Sequence, residues 1–290
     1  MIALIDGDIL VYRCGFATQS NRYVATTEDG EFIVAAHNKK ELEEYLGDTD
    51  NIIITKEIIP EPLRNATHNV KQTLASIVHA TGADEYKVFI TGDGNFREDI
   101  ATIRPYKGNR DRDSRPYHYK ALRKYILDLP QGVLVEGQEA DDAMGIEQYK
   151  DYMSSYKKVM ELEFENKDKS TLNTTICTID KDLKMIPGHH YNWVTKKKEF
   201  INDADAIRFF YTQLITGDTT DNIVGIYGKG IQAANKILQG LSTEEEYLRA
   251  VALAYAVSDY EDPEEAMIEN GRLLWIRREE GELWQIKESK

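Results

Sequence analysis

Apolar positions come in short bursts separated by turn-forming residues. Residues 2–5 are an apolar run closed by Asp6-Gly7-Asp8, which reads as a buried strand ending in a turn. Residues 22–36 read as a hairpin with Glu28-Asp29-Gly30 at its tip, and 52–59 as a β-branched strand. Helical spacing predicts helices over 38–46 and 68–78, and residues 86–91 form a strand running into Gly92-Asp93-Gly94. Leu122, Ile126 and Leu129 share one stripe of a helix predicted over 116–129; 132–136 reads as a strand, and 139–150 begins a helix. Residues 173–179 are strand-like and lead to Asp180, 161–170 is a charged loop or frayed helix end, and 191–201 resembles a hairpin around Lys196-Lys197-Lys198. From Asp203 the pattern is mainly helical, interrupted by a turn cluster at 217–230. No repeat or low-complexity tract is present.

Strands alternating with helices predict an α/β fold with a mostly parallel sheet, followed by a helical region from about residue 205. Ligands bind such sheets at the carboxyl ends of the strands. Acidic residues fall at or just beyond four of those ends: Asp6, Asp93, the group Glu139, Asp141 and Asp142, and the pair Asp180 and Asp182. A parallel sheet would bring several of them to one edge.

Composition narrows the class. The chain has 290 residues, 41% hydrophobic and 30% charged, which is enough to bury a core without disulfides. Cys14 and Cys177 form no CxxC motif, so a disulfide scaffold or zinc ribbon is excluded. The longest stretch without Lys, Arg, Asp or Glu is residues 72–83, too short to span a membrane. The start MIALIDGDILVY lacks a basic n-region and carries Asp6 and Asp8 where a signal peptide is apolar, so a reducing cytoplasm is expected. The formal net charge of −14 argues against nucleic acid, but its distribution argues the other way. Arg104, Lys107, Arg110, Arg112, Arg115, Lys120, Arg123 and Lys124 face only Asp111 and Asp113 within one short strip. Tyr106, Tyr117 and Tyr119 are interleaved with these cations, a pattern suited to phosphate contact and base stacking.

An all-oxygen cluster of acids selects hard ions such as Mg²⁺ or Mn²⁺ over zinc. Paired divalent ions are a known device for displacement at phosphorus. Taken singly, each acidic motif has an ordinary reading: DGD and GDG as turns, EADD as a helix start favoured by the macrodipole, TIDKD as a cap, GDTTDN as turn chemistry. Five in order, each after an apolar segment, are not coincidence. The segment Gly225-Ile226-Tyr227-Gly228-Lys229-Gly230 is GxxGxG rather than GxGxxG and follows a helical stretch, which makes a Rossmann nucleotide site unlikely and a helix–turn–helix that holds phosphate on backbone N–H groups a better fit.

DGD after the first strand, RPYKGNR, EADDAMG, TIDKDLKMI and GDTTDNIVGIYGKG together resemble the flap-endonuclease/5′-exonuclease superfamily over about residues 1–240, with a short connection from Arg110 to Glu139 like that of compact phage 5′→3′ exonucleases. The resemblance implies a PIN-like α/β nuclease domain at 1–204, with a helical arch at about 97–130. It implies a helical DNA-binding subdomain at 205–290 containing a helix–three-turn–helix element. It places Asp6, Asp93, Glu139, Asp141 and Asp142 around a first metal, and Asp180, Asp182, Asp218 and Asp221 around a second, with Asp141 close to both. Asp8 stands where many relatives have a non-acid and is left out of that set. Lys107 and Arg110 match arch residues that contact the scissile phosphate. Arg104 and Tyr106 join them as expected DNA contacts, together with Gly225, Gly228, Lys229 and Gly230 in a turn that also binds K⁺ in relatives.

The expected activity is a two-metal, Mg²⁺- or Mn²⁺-dependent 5′→3′ exonuclease or flap endonuclease giving 5′-phosphate products. Expected partners are DNA and replication or recombination proteins, in the host cytoplasm if the source is a phage. The rivals are an RNase H-like nuclease on RNA–DNA hybrids and a non-catalytic structure-specific DNA-binding protein.

Overall fold

The computed structural model describes residues 1–111, 114–161 and 172–286. The chain opens with β1 (Ile2–Asp6), α1 (Gly7–Phe16), β2 (Gln19–Thr27), β3 (Phe32–Ala36), α2 (Lys39–Leu46), β4 (Ile52–Pro60) and α3 (Leu63–Thr81). It continues through β5 (Glu85–Thr91), α4 (Phe96–Ile100), α5 (Tyr119–Leu127), β6 (Gly132–Val135), α6 (Ala140–Glu161) and β7 (Thr174–Cys177). A 3-10 turn at Asp182–Met185 precedes β8 (Gly188–Asn192) and β9 (Lys197–Ile201). The helices α7 (Asp203–Thr216), α8 (Ile231–Ile237), α9 (Glu244–Ala256) and α10 (Pro263–Leu274) follow.

The central sheet has the order β6-β5-β1-β7-β8-β9; all neighbours are parallel except β8 and β9. Both faces are covered, which explains the nearly continuous apolar run of β1. Alternation along the strands divides the interior in two. Ala3, Ile5, Val88, Ile90 and Cys177 pack with α1, α3 and α5 on one face. Leu4, Phe89 and Ile176 pack on the other with residues of α6, α7, α9 and α10. The second core joins the sheet to the C-terminal helices without a break, and Trp275, Ile276 and Trp284 from the segment after α10 lie inside it.

Several expectations shift in detail. The DGD segment is not a turn but the start of a helix: Asp6 has extended backbone and its side chain caps α1 by accepting from the Ile9 N–H. The predicted hairpin at 22–36 is present but pairs with β4 in a separate sheet of order β3-β2-β4, outside the parallel one. Between α4 and α5 the expected arch contains no further helix among the described residues. The hairpin in the 190s is formed by β8 and β9, with the turn at residues 193–196. Residues 162–171, which take in all of the predicted charged loop but Glu161, and Arg112 and Asp113 of the basic strip lie outside the described residues. No described helix is long and apolar enough to cross a membrane.

Candidate active site

The strands around β1 end at one edge, and the acids gather there. Asp6 ends β1 and also accepts from the Thr178 hydroxyl at 2.9 Å, just past β7. Asp93 follows β5 on the rim, exposed, with its N–H donating to Glu136 at 2.7 Å. Glu139 and Asp141 stand at the start of α6, and Asp180 and Asp182 follow β7. An open cleft of about 760 Å³ is lined by Asp6, Asp8, Asp93, Glu139, Asp141 and Asp180. Lys107, Arg110, Arg115, Lys120 and Arg123 line the same cleft, so the basic strip shares it with the acids. Behind the cleft, a small cavity of about 30 Å³ is lined by Glu139, Asp141, Asp182, Asp218 and Asp221. Glu139 and Asp141 thus face both spaces.

The electrostatics are those of crowded, dehydrated carboxylates. Burial, together with Asp8 and Asp180, pushes Asp6 up to about 7. Burial, with Asp180 and Asp218, likewise raises Asp182 to about 7, although Gln213 donates to it at 2.6 Å. Asp141 is buried beside Asp6, Asp180 and Glu139, meets no hydrogen-bond donor among the described residues, and is held well above the usual carboxylate range. Burial also raises Asp180, with Asp221 and Asp218 adding to it. Glu139 is half-buried, yet Lys107 and Arg97 hold it below the ordinary value. Asp218 is similar: the Thr220 N–H at 2.7 Å and Lys181 outweigh its burial.

Lys107 acts as an internal counter-ion. Its ammonium pairs with Glu139 and lies 3.6 Å from Asp221. Its backbone has φ of 54°, and its N–H donates to the Asp221 carbonyl at 2.9 Å. Arg110 pairs with Asp221 at 2.5 Å. Asn222 donates to the Pro105 carbonyl and Asn109 to that of Thr219, which clasps residues 105–110 to the 219–222 turn.

Two expected roles change. Tyr106 is buried, with its hydroxyl 3.0 Å from Glu139 and 2.8 Å from Asp221, so its ring is not presented for base stacking. Asp142 turns into the interior: Arg97 forks onto both its oxygens at 2.6 and 2.9 Å, and the N–H groups of Glu139 and Arg277 also donate to it. It does not line the cleft. Asp8 does line it, but is paired with Arg123 at 3.0 Å and accepts from the Thr91 N–H. Sequence reasoning missed Arg97, Thr178, Gln213 and Asn95, which donates to Glu139 at 3.1 Å. Thr178 opens the TIDKD motif, but nothing in that motif marks its hydroxyl as a partner of Asp6; the other three sit in none of the quoted motifs.

The 217–230 turn lies to one side. Arg104, Asn109, Tyr227, Gly228, Lys229 and Gly230 line a groove of about 430 Å³. Gly225 sits beneath it, buried, with its carbonyl accepting from the Tyr260 hydroxyl at 2.7 Å, and is a scaffold position rather than a contact surface.

The donor set fits a hard divalent cation: oxygen only, crowded with carboxylates, and with Asp218 Oδ2 buried, making no hydrogen bond among the described residues and facing the Lys181 ammonium 3.5 Å away. Among the described residues, no three acids yet converge as an ion would require. Repulsion opposes that convergence by about 4 kcal/mol for two carboxylates about 4 Å apart at an effective dielectric of about 20.

No protein-family model and no curated protein matches the chain. Solved structures with a similar chain path include a bacteriophage T5 protein co-crystallised with metal ions, at 16% identity and a TM-score of 0.49, covering 94% of this chain and 88% of that one. A T5 flap endonuclease variant in a pseudo-enzyme–product complex with DNA and metal ions has 17% identity, a TM-score of 0.48 and the same coverage. A T5 5′-exonuclease mutant has 15% identity and a TM-score of 0.47, covering 94% and 86%.

Proposed function

We propose that the protein is a divalent-metal-dependent 5′ nuclease of the flap-endonuclease/5′-exonuclease superfamily, hydrolysing DNA phosphodiesters to 5′-phosphate products. The observation that carries this reading is one cleft that brings together carboxylates raised by burial and crowding and the cations Lys107, Arg110, Arg115, Lys120 and Arg123. Such a site attracts a phosphate backbone and repels it at the acids unless cations are bound.

Asp6, Asp93, Glu139 and Asp141 would hold one Mg²⁺ or Mn²⁺, and Asp180, Asp182, Asp218 and Asp221 a second, with Asp141 near both. When bound, such ions supply a water of lowered pKa and stabilise charge on the phosphoryl oxygens. The chain's own residues do the rest. Lys107 is free to leave Glu139 for the phosphate once that carboxylate's charge is met otherwise, and Arg110 stands beside it. Arg115 and Arg123 flank the Tyr119 ring, 4.8 and 5.6 Å from its centre, and direct the strand through the cleft. The 226–230 turn and Arg104 hold duplex phosphates away from the reacting bond. On this reading residues 1–204, completed by Asp218 and Asp221, carry the chemistry, and the rest of 205–290 fixes the duplex.

The test uses duplex DNA labelled at one 5′ end, with Mg²⁺ and separately with excess EDTA. Short labelled products should appear only with Mg²⁺. Asp141→Asn should lower the rate at least about 10²-fold with DNA affinity nearly unchanged. Lys107→Ala should lower turnover about 10²–10³-fold and weaken binding only modestly. Bound but uncut DNA in both Mg²⁺ and Mn²⁺ would overturn the reading in favour of a binding protein. An RNA-primed hybrid in the same assay measures sugar preference.

A further inference from the structure

We infer that Arg97 is a positioning residue for the acid cleft, which holds Asp142 and through it the start of α6 that carries Glu139 and Asp141. This rests on the nuclease reading above. Arg97 and Asp142 are both buried, at 3% and 0% exposure, and their fork uses both carboxylate oxygens. Two further guanidinium donors go to the carbonyls of Leu273 at 2.9 Å and Trp275 at 2.7 Å. Asp142 in turn accepts from the N–H groups of Glu139 at 3.1 Å and Arg277 at 3.0 Å. One ion pair therefore ties together α4, the start of α6 and the segment leaving α10.

The geometry explains what this controls. Consecutive helix residues point about 100° apart, so drawing Asp142 into the interior turns Asp141 out towards the cleft. The Asp142–Glu139 bond fixes the residue just before the helix, whose carboxylate lies 4.0 Å from the Arg97 guanidinium. Two apolar side chains of similar volume would keep the packing but leave the Leu273 and Trp275 carbonyls and the Glu139 and Arg277 N–H groups without these partners. What the pair adds is a single geometry, because a planar fork has one way to meet a carboxylate. Lysine, a point charge with three donors and no fork, cannot replace it.

The experiment measures Mn²⁺ binding by electron paramagnetic resonance and, separately, kcat and KM on 5′-labelled duplex, for wild type, Arg97→Lys, Asp142→Asn and the double variant Arg97→Met with Asp142→Leu. Arg97→Lys removes no carboxylate, yet Mn²⁺ affinity and kcat should each fall about 10–100-fold. KM for DNA should stay within about threefold of wild type. The double variant leaves four backbone groups without these partners and should melt below wild type, but it should keep the weakened Mn²⁺ binding at temperatures where it is fully folded, which separates positioning from stability. Wild-type Mn²⁺ affinity in a folded Arg97→Lys or double variant would overturn the inference. If neither folds, Asp142→Asn, almost the same shape, decides on the same readout. Wild-type protein that binds Mn²⁺ but cuts no DNA would overturn the nuclease reading, leaving the metal-binding comparison to judge Arg97 alone.

Discussion

His190 is buried on β8 as a neutral imidazole, with Nε2 2.7 Å from the Ile186 carbonyl, to which it can only donate. Burial lowers its pKa from 6.5 to about 4, with Glu199 opposing and Lys184 and His189 reinforcing the shift. A folded pKa below the unfolded one means that its contribution is fully present above about 6.5 and is lost as pH falls towards 4, at no more than about 1.4 kcal/mol per pH unit. His190→Asn removes this titration. The stability difference between wild type and the variant, from urea unfolding at intervals between pH 8 and 4, should therefore shrink as pH falls; a constant difference would contradict the buried neutral form. Residue scale is also where local reading reached its limit. Asp141 and Asp142 are adjacent and chemically identical in the sequence, yet one faces the cleft and the other pairs with Arg97 in the interior. The same holds for Tyr106, whose place among cations suggested stacking, while its hydroxyl is taken up by Glu139 and Asp221.

Among the elements, the turn between α7 and α8 shows how glycine sets shape. Gly217 and Gly225 have φ of 68° and 63° and pack backbone to backbone, where a Cβ on either would overlap the other's strand of the turn. That packing presents Gly228, Lys229 and Gly230 at the surface. If this turn grips phosphate, Lys229→Ala should weaken duplex binding a few-fold and reduce the slope of log affinity against log salt by about 1. Titrations across a salt series read this directly, and an unchanged slope would remove Lys229 from the interface. The elements themselves were largely legible: most of the strands and helices follow from apolar spacing with turn residues at their ends. The helix α1 was not, because an Asp-Gly-Asp start reads equally as a turn when the cap's partner is a backbone N–H.

At the scale of the molecule, the C-terminal segment is part of the core that backs the cleft. Trp284 packs on Phe210, with ring centres 5.4 Å apart, and against Gly271, while Trp275 meets Phe210 at 4.9 Å. Trp284→Ala should cost about 3–5 kcal/mol. A lower urea midpoint with an unchanged m-value would show it; a loss within about 0.5 kcal/mol would mean that the segment is only loosely docked. The sequence by itself determined that this is an α/β chain with acids after its strands and a basic strip before its last third, because those features live in local spacing and strand ends. Only the tertiary structure decided which acids share the cleft, that Arg97 holds Asp142, and that the last segment closes the back of the site. Those contacts join residues 45 to 178 positions apart, and no local pattern carries information over such distances.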